Sequence, residues 1–295
     1  MTDIPTEQAT VHRLAVVGAG VMGTNIAVLA LGHGLDVTLV DVDDETLTAA
    51  RRTIRHKLKH AQLLDALPAG RPHGALTTTT SLSDVAGATT VIEAVVEIAE
   101  VKRKVLAEVS ATVAPGTLLI SNTSCVPVDE MAAWVVRGED LVGVHFMNPS
   151  YLIRMVEVIR GSATGDATMT AVGRLLGALN REALVVNDAP GFVINRLLHP
   201  LINRAAMLVQ DGVASAETVD GLLEGCLGHT TGPLRTADLI GIDNLVDSLR
   251  VLHERTGDPE CEPCDLMLQK VRDGHHGSKT GRGFYDYQSA TEGRI

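Results

Sequence analysis

The sequence is short of aromatic residues, of cysteine and of positive charge. One Trp, three Tyr and three Phe in 295 residues leave aliphatic side chains to fill any core. Four cysteines are too few for a disulfide framework. Asp and Glu number 36 against 25 Lys and Arg, and the net charge of −11 argues against a general nucleic-acid or membrane-surface binder, because like charges repel.

The chain also has no long apolar run. No stretch reaches the ~18 residues that a membrane span needs, and the segment MTDIPTEQATVHR lacks the apolar core of a secretory signal. We therefore expect a soluble, cytoplasmic protein without a membrane partner. No second CxxC or HxxxH follows Cys261-Glu-Pro-Cys264 to complete a metal site, so we expect no metal.

What is present is an alternation of strand-like and helix-like segments. A length near 300 residues suggests about two domains. Aliphatic runs at 13–18, 36–40, 90–96, 117–121, 141–145 and 155–159 alternate with helical patterns at 21–32, 44–64, 99–112 and 127–137. This pattern predicts an α/β fold with a Rossmann-type, doubly wound sheet over residues 1–187.

From residue 188 the pattern becomes helical. Apolar residues recur at helical spacing in 192–211, 215–227, 236–256 and 263–274, with little strand pattern. We predict an all-helical C-terminal domain over 188–295, for substrate binding and dimerisation, on which the aromatic closing segment 277–287 docks. Its long apolar faces, which include Leu197, Leu198, Leu201, Ile202 and Leu208, favour a homodimer.

A glycine-rich turn follows the first predicted strand. Residues 18–23, GAGVMG, fit GxGxxG, and Asp41 closes the next strand 18 positions after Gly23. Gly18 would make the tight turn, Gly20 would admit a pyrophosphate and Gly23 would let the helix pack closely. Asp41 would bind ribose hydroxyls and repel a 2′-phosphate, which favours NAD over NADP and makes 1–187 an NAD-binding domain; an empty turn and FAD are the alternatives. The predicted cofactor residues here are Gly18, Gly20, Val21, Met22, Gly23 and Asp41.

Polar residues follow or interrupt three further strands. Ser121–Ser124 and His145 end predicted strands, where open α/β sheets bind ligands. Glu157 lies inside the aliphatic run MVEVI, which is costly unless the carboxylate is paired. We expect Glu157 to accept the proton of one ring nitrogen of His145, leaving the other nitrogen as a base. A histidine at a strand end is more often structural, but a dinucleotide turn on the same sheet favours the catalytic interpretation.

Motifs spread over nearly the whole chain resemble those of the 3-hydroxyacyl-CoA dehydrogenase family, close to the short bacterial 3-hydroxybutyryl-CoA dehydrogenases. Their order and spacing also agree. The matching stretches are GAGVMG (18–23), VIEAVVE (91–97) with Lys102, SNTS (121–124), HFMNP (145–149), MVEVIRG (155–161), DAPGFVINR (188–196), TTGPLRTADLIGID (230–243) and GSKTGRGFYDY (277–287).

The resemblance implies a role for each matching residue. His145 is the general base for the 3-hydroxyl proton, and Glu157 orients it. Ser124 and Asn195 hydrogen-bond the reacting oxygen or its neighbours. Asn195 is also an amide among apolar residues near the start of the second domain, a position equally typical of a helix start. Two additional NAD contacts are implied, Glu97 and Lys102.

The match to the family weakens at the positions that contact the CoA part of the substrate. The family's Ser contact to CoA falls on Lys57, and its neighbouring Lys contact falls on Leu64. The cations of segment 51–60 form either an ordinary solvated face or an anion-binding site. In the second case Arg55, Lys57 and Lys59 would bind CoA phosphates or an acidic acyl carrier protein.

Two substrates therefore stay open. Segment 145–154, HFMNPSYLIR, departs from most of the family, and its changes resemble a polyketide-cluster subgroup that oxidises carrier-protein-bound hydroxyacyl units such as glyceryl thioesters. The partner is thus an acyl-CoA thioester or an acyl carrier protein, and the redox residues are the same for both. A non-catalytic NAD-binding protein is a further alternative, against which the complete set of polar residues argues.

Overall fold

The aliphatic runs of the first unit pair into one eight-stranded sheet in the computed structural model, which describes residues 13–287. The strand order is β3-β2-β1-β4-β5-β6-β7-β8, and all neighbours are parallel except β6 and β7. The strands are β1 (Arg13–Val17), β2 (Asp36–Val40), β3 (Leu76–Thr79), β4 (Thr90–Glu93), β5 (Leu118–Ser121), β6 (Leu141–His145), β7 (Met155–Arg160) and β8 (Glu182–Asn187). The order reverses between β1 and β4, which is where open α/β sheets bind ligands.

Helices connect most of the parallel strands, so the predicted α/β architecture is confirmed. They are α1 (Val21–Gly32), α2 (Asp44–Leu63), α3 (Ala99–Thr112), α4 (Val128–Ala132) and α5 (Asp166–Ala178). α1 is apolar and buried from Gly23 to Gly32, because it packs directly on the sheet. α2 begins where Asp43 accepts hydrogen bonds from the N–H groups of Glu45 and Thr46. The helix predicted over 127–137 is shorter, since α4 ends at Ala132.

The second unit is helical, as the sequence predicts. Its helices are α6 (Ile194–Gln210), α7 (Ala216–Leu227), α8 (Pro233–Ile240), α9 (Ile242–Thr256) and α10 (Asp265–Arg272). The single helix predicted over 236–256 is two helices, because Gly241 has a φ of 98° and interrupts the regular backbone. Fully buried aliphatic residues such as Leu234, Leu245 and Leu249 form the core.

The closing segment 277–287 is bound to this unit through two buried carboxylates. Asp238 of α8 accepts the backbone N–H groups of Phe284 and Tyr285 at 2.8 and 2.9 Å, and the Tyr287 hydroxyl at 3.1 Å. Asp220 of α7 accepts the Tyr285 hydroxyl at 2.7 Å. Burial raises the pKa of Asp238, although these hydrogen bonds oppose the rise. The predicted docking of the aromatic segment is therefore observed.

The two units divide between Ala189 and Pro190, two residues after the predicted domain boundary. The N-terminal segment in which we expected no secretory signal lies, apart from Arg13, outside the described residues. None of the helices within 13–287 is long and apolar enough to cross a bilayer.

Candidate active site

The glycine-rich turn leaves a space that a ligand's phosphates could occupy. Gly18 has a φ of 104°, and a Cβ there would lie 2.5 Å from the carbonyl oxygen of Ala94. A Cβ on Gly23 would lie 1.8 Å from the Gly18 carbonyl oxygen. A Cβ on Gly20, in contrast, meets nothing within 4 Å. Two glycines are thus required by packing, and the third keeps space open at the N-terminus of α1, whose first amide groups lack helical partners.

Asp41 lies beside this turn at the end of β2. Its Oδ2 accepts the Ala19 N–H at 2.7 Å, and its Oδ1 accepts the Val42 N–H at 2.8 Å. These bonds fix a half-buried carboxylate next to the phosphate space. The arrangement fits an adenosine ribose, whose hydroxyls donate to a carboxylate, and disfavours a 2′-phosphate.

His145 and Glu157 form a buried pair. They lie opposite each other in the antiparallel register of β6 and β7, and Nδ1 of His145 is 2.8 Å from Oε2 of Glu157. Their side chains are 7% and 8% exposed. A carboxylate partner selects the tautomer with hydrogen on Nδ1, because a carboxylate can only accept. Nε2 then has a lone pair for an incoming proton.

Ser124 lies in a loop that a single carboxylate organises. Oε1 of Glu97 accepts the backbone N–H groups of Ser124 and Cys125 at 2.8 and 2.9 Å, and also the Thr123 hydroxyl. This loop follows β5, the parallel neighbour of β6, which ends at His145. Ser124 and His145 therefore lie at the same edge of the sheet.

Lys102, which the resemblance implies as an NAD contact, is fully buried in an ion-pair cluster. Its Nζ lies 2.9 Å from Oε1 of Glu93 and 3.1 Å from Oε2 of Glu97. Burial opposes ionisation of Lys102 and Glu97. The attraction of Lys102 to Glu93 and Glu97, with the hydrogen bonds of these groups, outweighs it, so the pKa of Lys102 is raised and that of Glu97 is lowered. Sequence reasoning missed Glu93, although it interrupts an aliphatic run in the same way as Glu157.

The three predicted carrier-binding cations do not share one face of α2. Arg55 and Lys59 are exposed one turn apart. Lys57 lies on another side, half-buried, and its Nζ donates to Oδ1 of Asn25 at 2.7 Å. Burial lowers the pKa of Lys57. The structure brings Arg55 and Lys59 together and separates Lys57 from them.

Asn195 belongs to the second unit. It is the second residue of α6 and is 7% exposed. An amide near the start of a helix and largely withdrawn from water is expected to have polar partners.

Comparisons with known proteins cover nearly all of the described chain. Family models for the 3-hydroxyacyl-CoA dehydrogenase NAD-binding and C-terminal domains match residues 13–189 and 191–287. The chain is 38% identical over 285 residues to a 3-hydroxybutyryl-CoA dehydrogenase of Bradyrhizobium diazoefficiens, covering 96% of this chain and 97% of that protein.

Solved structures are similar as well. The (S)-3-hydroxybutyryl-CoA dehydrogenase of Ralstonia eutropha matches with a TM-score of 0.84 and 34% identity, covering 95% of this chain and all of that one. The FadB2 protein of Mycobacterium tuberculosis matches with a TM-score of 0.89 at the same identity and coverage.

Proposed function

Because the chain belongs to the 3-hydroxyacyl-CoA dehydrogenase family, we propose that it interconverts a short 3-hydroxyacyl thioester, of the 3-hydroxybutyryl-CoA type, and the 3-oxoacyl thioester. Its cofactor is NAD, because the first unit matches the NAD-binding domain of the family. The residues that fit the cofactor are the turn 18–23 and Asp41. The observation that carries the proposed reaction is the buried pair of His145 and Glu157.

In the oxidation direction Nε2 of His145 removes the proton of the 3-hydroxyl group. NAD, when bound, supplies the acceptor for the hydride that leaves C3. Glu157 holds the imidazole in the required tautomer and stabilises the imidazolium that forms. Ser124 hydrogen-bonds the reacting oxygen or its neighbours, where negative charge develops. For Asn195 the same role is implied by the family resemblance alone. In the reverse direction His145 returns the proton to that oxygen.

An assay of NADH consumption with acetoacetyl-CoA tests this reaction. The unmodified protein should turn over the thioester, and His145→Gln should lose at least about a hundredfold in kcat while its unfolding transition stays unchanged. A folded His145→Gln variant with full turnover would remove His145 from the mechanism. If the unmodified protein turns over neither acetoacetyl-CoA nor the carrier-protein thioester described below, it is a cofactor-binding protein without this activity.

A carrier-protein-bound hydroxyacyl unit, of the glyceryl type used for polyketide extender units, is the second candidate substrate. It is favoured by the exposed cations Arg55 and Lys59, which would attract an acidic carrier protein to α2 of an otherwise acidic chain. The same cations would attract CoA phosphates. Parallel assays with acetoacetyl-CoA and with a carrier-linked thioester separate the two, and reaction with the carrier-linked substrate alone would reject the CoA proposal.

We also propose a homodimer formed through the helical unit. Leu197, Leu201 and Leu208 of α6 are 69%, 39% and 44% exposed, an apolar surface that a second copy would cover. The expectation for Ile202 was wrong, because that side chain is fully buried in the core of its own unit. Light scattering after gel filtration should give twice the chain mass, and L197E with L201E should halve it. A monomeric unmodified protein would refute the dimer.

A further inference from the structure

A line of three side chains joins α2, α1 and the loop after β6. Nζ of Lys57 donates to Oδ1 of Asn25 at 2.7 Å, and Nδ2 of Asn25 donates to Oδ1 of Asn148 at 2.6 Å. Asn25 is fully buried, Lys57 is half-buried and Asn148 is exposed. None of these contacts was expected from the sequence, because the three residues are far apart along the chain.

The direction of these hydrogen bonds is fixed at one end. A lysine ammonium has three donors and no acceptor, so Asn25 must turn its oxygen toward Lys57. The amide nitrogen of Asn25 then faces Asn148, which has to present its own oxygen. The Nδ2 group of Asn148 is consequently the end that points away from Asn25. Lys57 therefore determines which end of the exposed Asn148 amide is offered to a ligand.

The two asparagines lie close in sequence to the two parts of the site. Asn148 comes three residues after His145, and Asn25 comes two residues after Gly23 of the dinucleotide turn. Asn148 therefore belongs to the loop that begins after the proposed base, His145. Its partner Asn25 belongs to α1, the helix that begins at the glycine-rich turn. Buried amides with satisfied partners hold such a donor in one orientation.

On this basis, and resting on the proposed function, we propose that Lys57 and Asn25 are positioning residues that orient Asn148 so that its Nδ2 donates to a ligand oxygen beside His145. The ligand atom is a carbonyl oxygen, which can belong either to the cofactor or to the thioester substrate. An acceptor offered at this point would repel the same oxygen.

Asn25→Asp reverses the direction of the hydrogen bond between residues 25 and 148 with almost no change in side-chain shape. An aspartate at 25 still accepts from Lys57 but cannot donate, so Asn148 has to rotate, give its Nδ2 to residue 25 and turn its oxygen to the ligand. We expect at least a tenfold loss in binding of the ligand concerned. NADH affinity from a fluorescence titration and KM for the thioester identify the source: weaker NADH binding assigns the oxygen to the cofactor, and a raised KM alone assigns it to the substrate.

Two comparisons isolate the orientation from the added charge. Asn180→Asp makes the same substitution in an exposed turn and keeps the acceptor for Arg154, so both constants should stay unchanged. Lys57→Gln can still donate to Asn25 and should lose less than Asn25→Asp. If Asn25→Asp fails to fold, the same two constants are compared between Lys57→Gln and Lys57→Met. A methionine cannot donate to Asn25, so Lys57→Met should show the larger loss in ligand binding.

A direct readout does not depend on turnover. In protein labelled with nitrogen-15 at asparagine, the side-chain amide resonances of Asn148 should shift in Asn25→Asp and stay in place in Asn180→Asp. Unchanged Asn148 resonances would overturn the positioning role even if the dehydrogenase activity is present. Shifted resonances with unchanged NADH affinity and KM would overturn the contact with a ligand. Lack of turnover in the unmodified protein would instead refute only the proposed reaction.

Discussion

Oε2 of Glu157 lies 2.8 Å from Nδ1 of His145, and the register of β6 and β7 places the two residues directly opposite each other. β7 is antiparallel to β6 because the chain returns through the short segment 146–154 rather than through a helical crossover. The histidine and its carboxylate are consequently held by backbone hydrogen bonds of one strand pair. Their separation depends little on the loops around them.

Replacing Glu157 with Gln should slow the reaction without loosening substrate binding. A neutral amide cannot stabilise the imidazolium, and its nitrogen can hold the ring in the wrong tautomer. We expect kcat to fall by about 10²-fold or more, with KM changed by less than about threefold. Steady-state kinetics with the thioester, alongside thermal unfolding as a control for folding, measure this. A kcat within threefold of the unmodified enzyme would contradict the role of Glu157.

Two glycine variants in the dinucleotide turn should behave differently. Gly20→Ala adds a methyl group to open space, so stability should change by less than about 0.5 kcal/mol, whereas NADH affinity should fall at least tenfold because the methyl group meets the pyrophosphate. Gly23→Ala places the methyl group 1.8 Å from a backbone oxygen and should destabilise the protein itself. Urea unfolding and NADH titration separate the effects. Normal NADH binding by Gly20→Ala would place the phosphates elsewhere.

Lys102→Met should be strongly destabilising. It leaves Glu93 buried without its cation, which costs about 3–5 kcal/mol. Adding Glu93→Gln should recover part of that loss, because the buried charge is gone. Urea unfolding of the single and double variants checks both values, and a Lys102→Met variant as stable as the unmodified protein would show that the ion pair contributes nothing.

The same cluster predicts how stability depends on pH. The pKa of Glu97 is lowered in the folded state, so its contribution is complete above the usual pKa of a glutamate and is lost as the pH falls through the lowered value. The pKa of Lys102 is raised, so its contribution persists at alkaline pH and is lost only above the usual range of a lysine. In Glu97→Gln the acid-side loss of unfolding free energy should shrink relative to the unmodified protein.

Charge reversal of Arg55 and Lys59 together should weaken recognition of the thioester carrier. The expected rise in KM is about fivefold at low salt, with a smaller salt dependence and unchanged NADH affinity. Reversal of Lys104 and Arg174, two exposed cations on α3 and α5, changes the net charge equally and serves as the matched control. If both double variants shift KM alike, the cations of α2 form an ordinary solvated face.

Most of the sheet was predictable because its strands are buried and aliphatic. β3 was missed because its sequence, LTTT, is polar and half-exposed at the edge of the sheet. β8 was missed for a related reason, since four of its first five residues are exposed and it lacks a buried alternating face. α5 was not predicted either, as its glycines and threonines weaken the helical pattern.

The site was predictable where a residue breaks its local pattern. Glu157 and the glycines of the turn interrupt apolar runs and therefore stand out in the sequence. The surroundings of Lys102 and Lys57 depend on contacts between distant segments, with Glu93 in one case and Asn25 in the other. Spacing along a helix does not reveal such partners, which is why Lys57 was grouped with its neighbours on α2.

The attachment of segment 277–287 also bears on synthesis. Asp220 and Asp238 bind groups that leave the ribosome after every helix from α1 to α10. Until then the buried carboxylate of Asp238 lacks those donors, and an unsatisfied buried group costs about 1–3 kcal/mol. Asp220 keeps the backbone N–H groups of Leu234 and Arg235. The helical unit therefore completes its folding after translation has passed α10. A nonsense mutation just beyond α10 would produce a chain with every helical segment encoded but its folding unfinished, a target for cellular proteases.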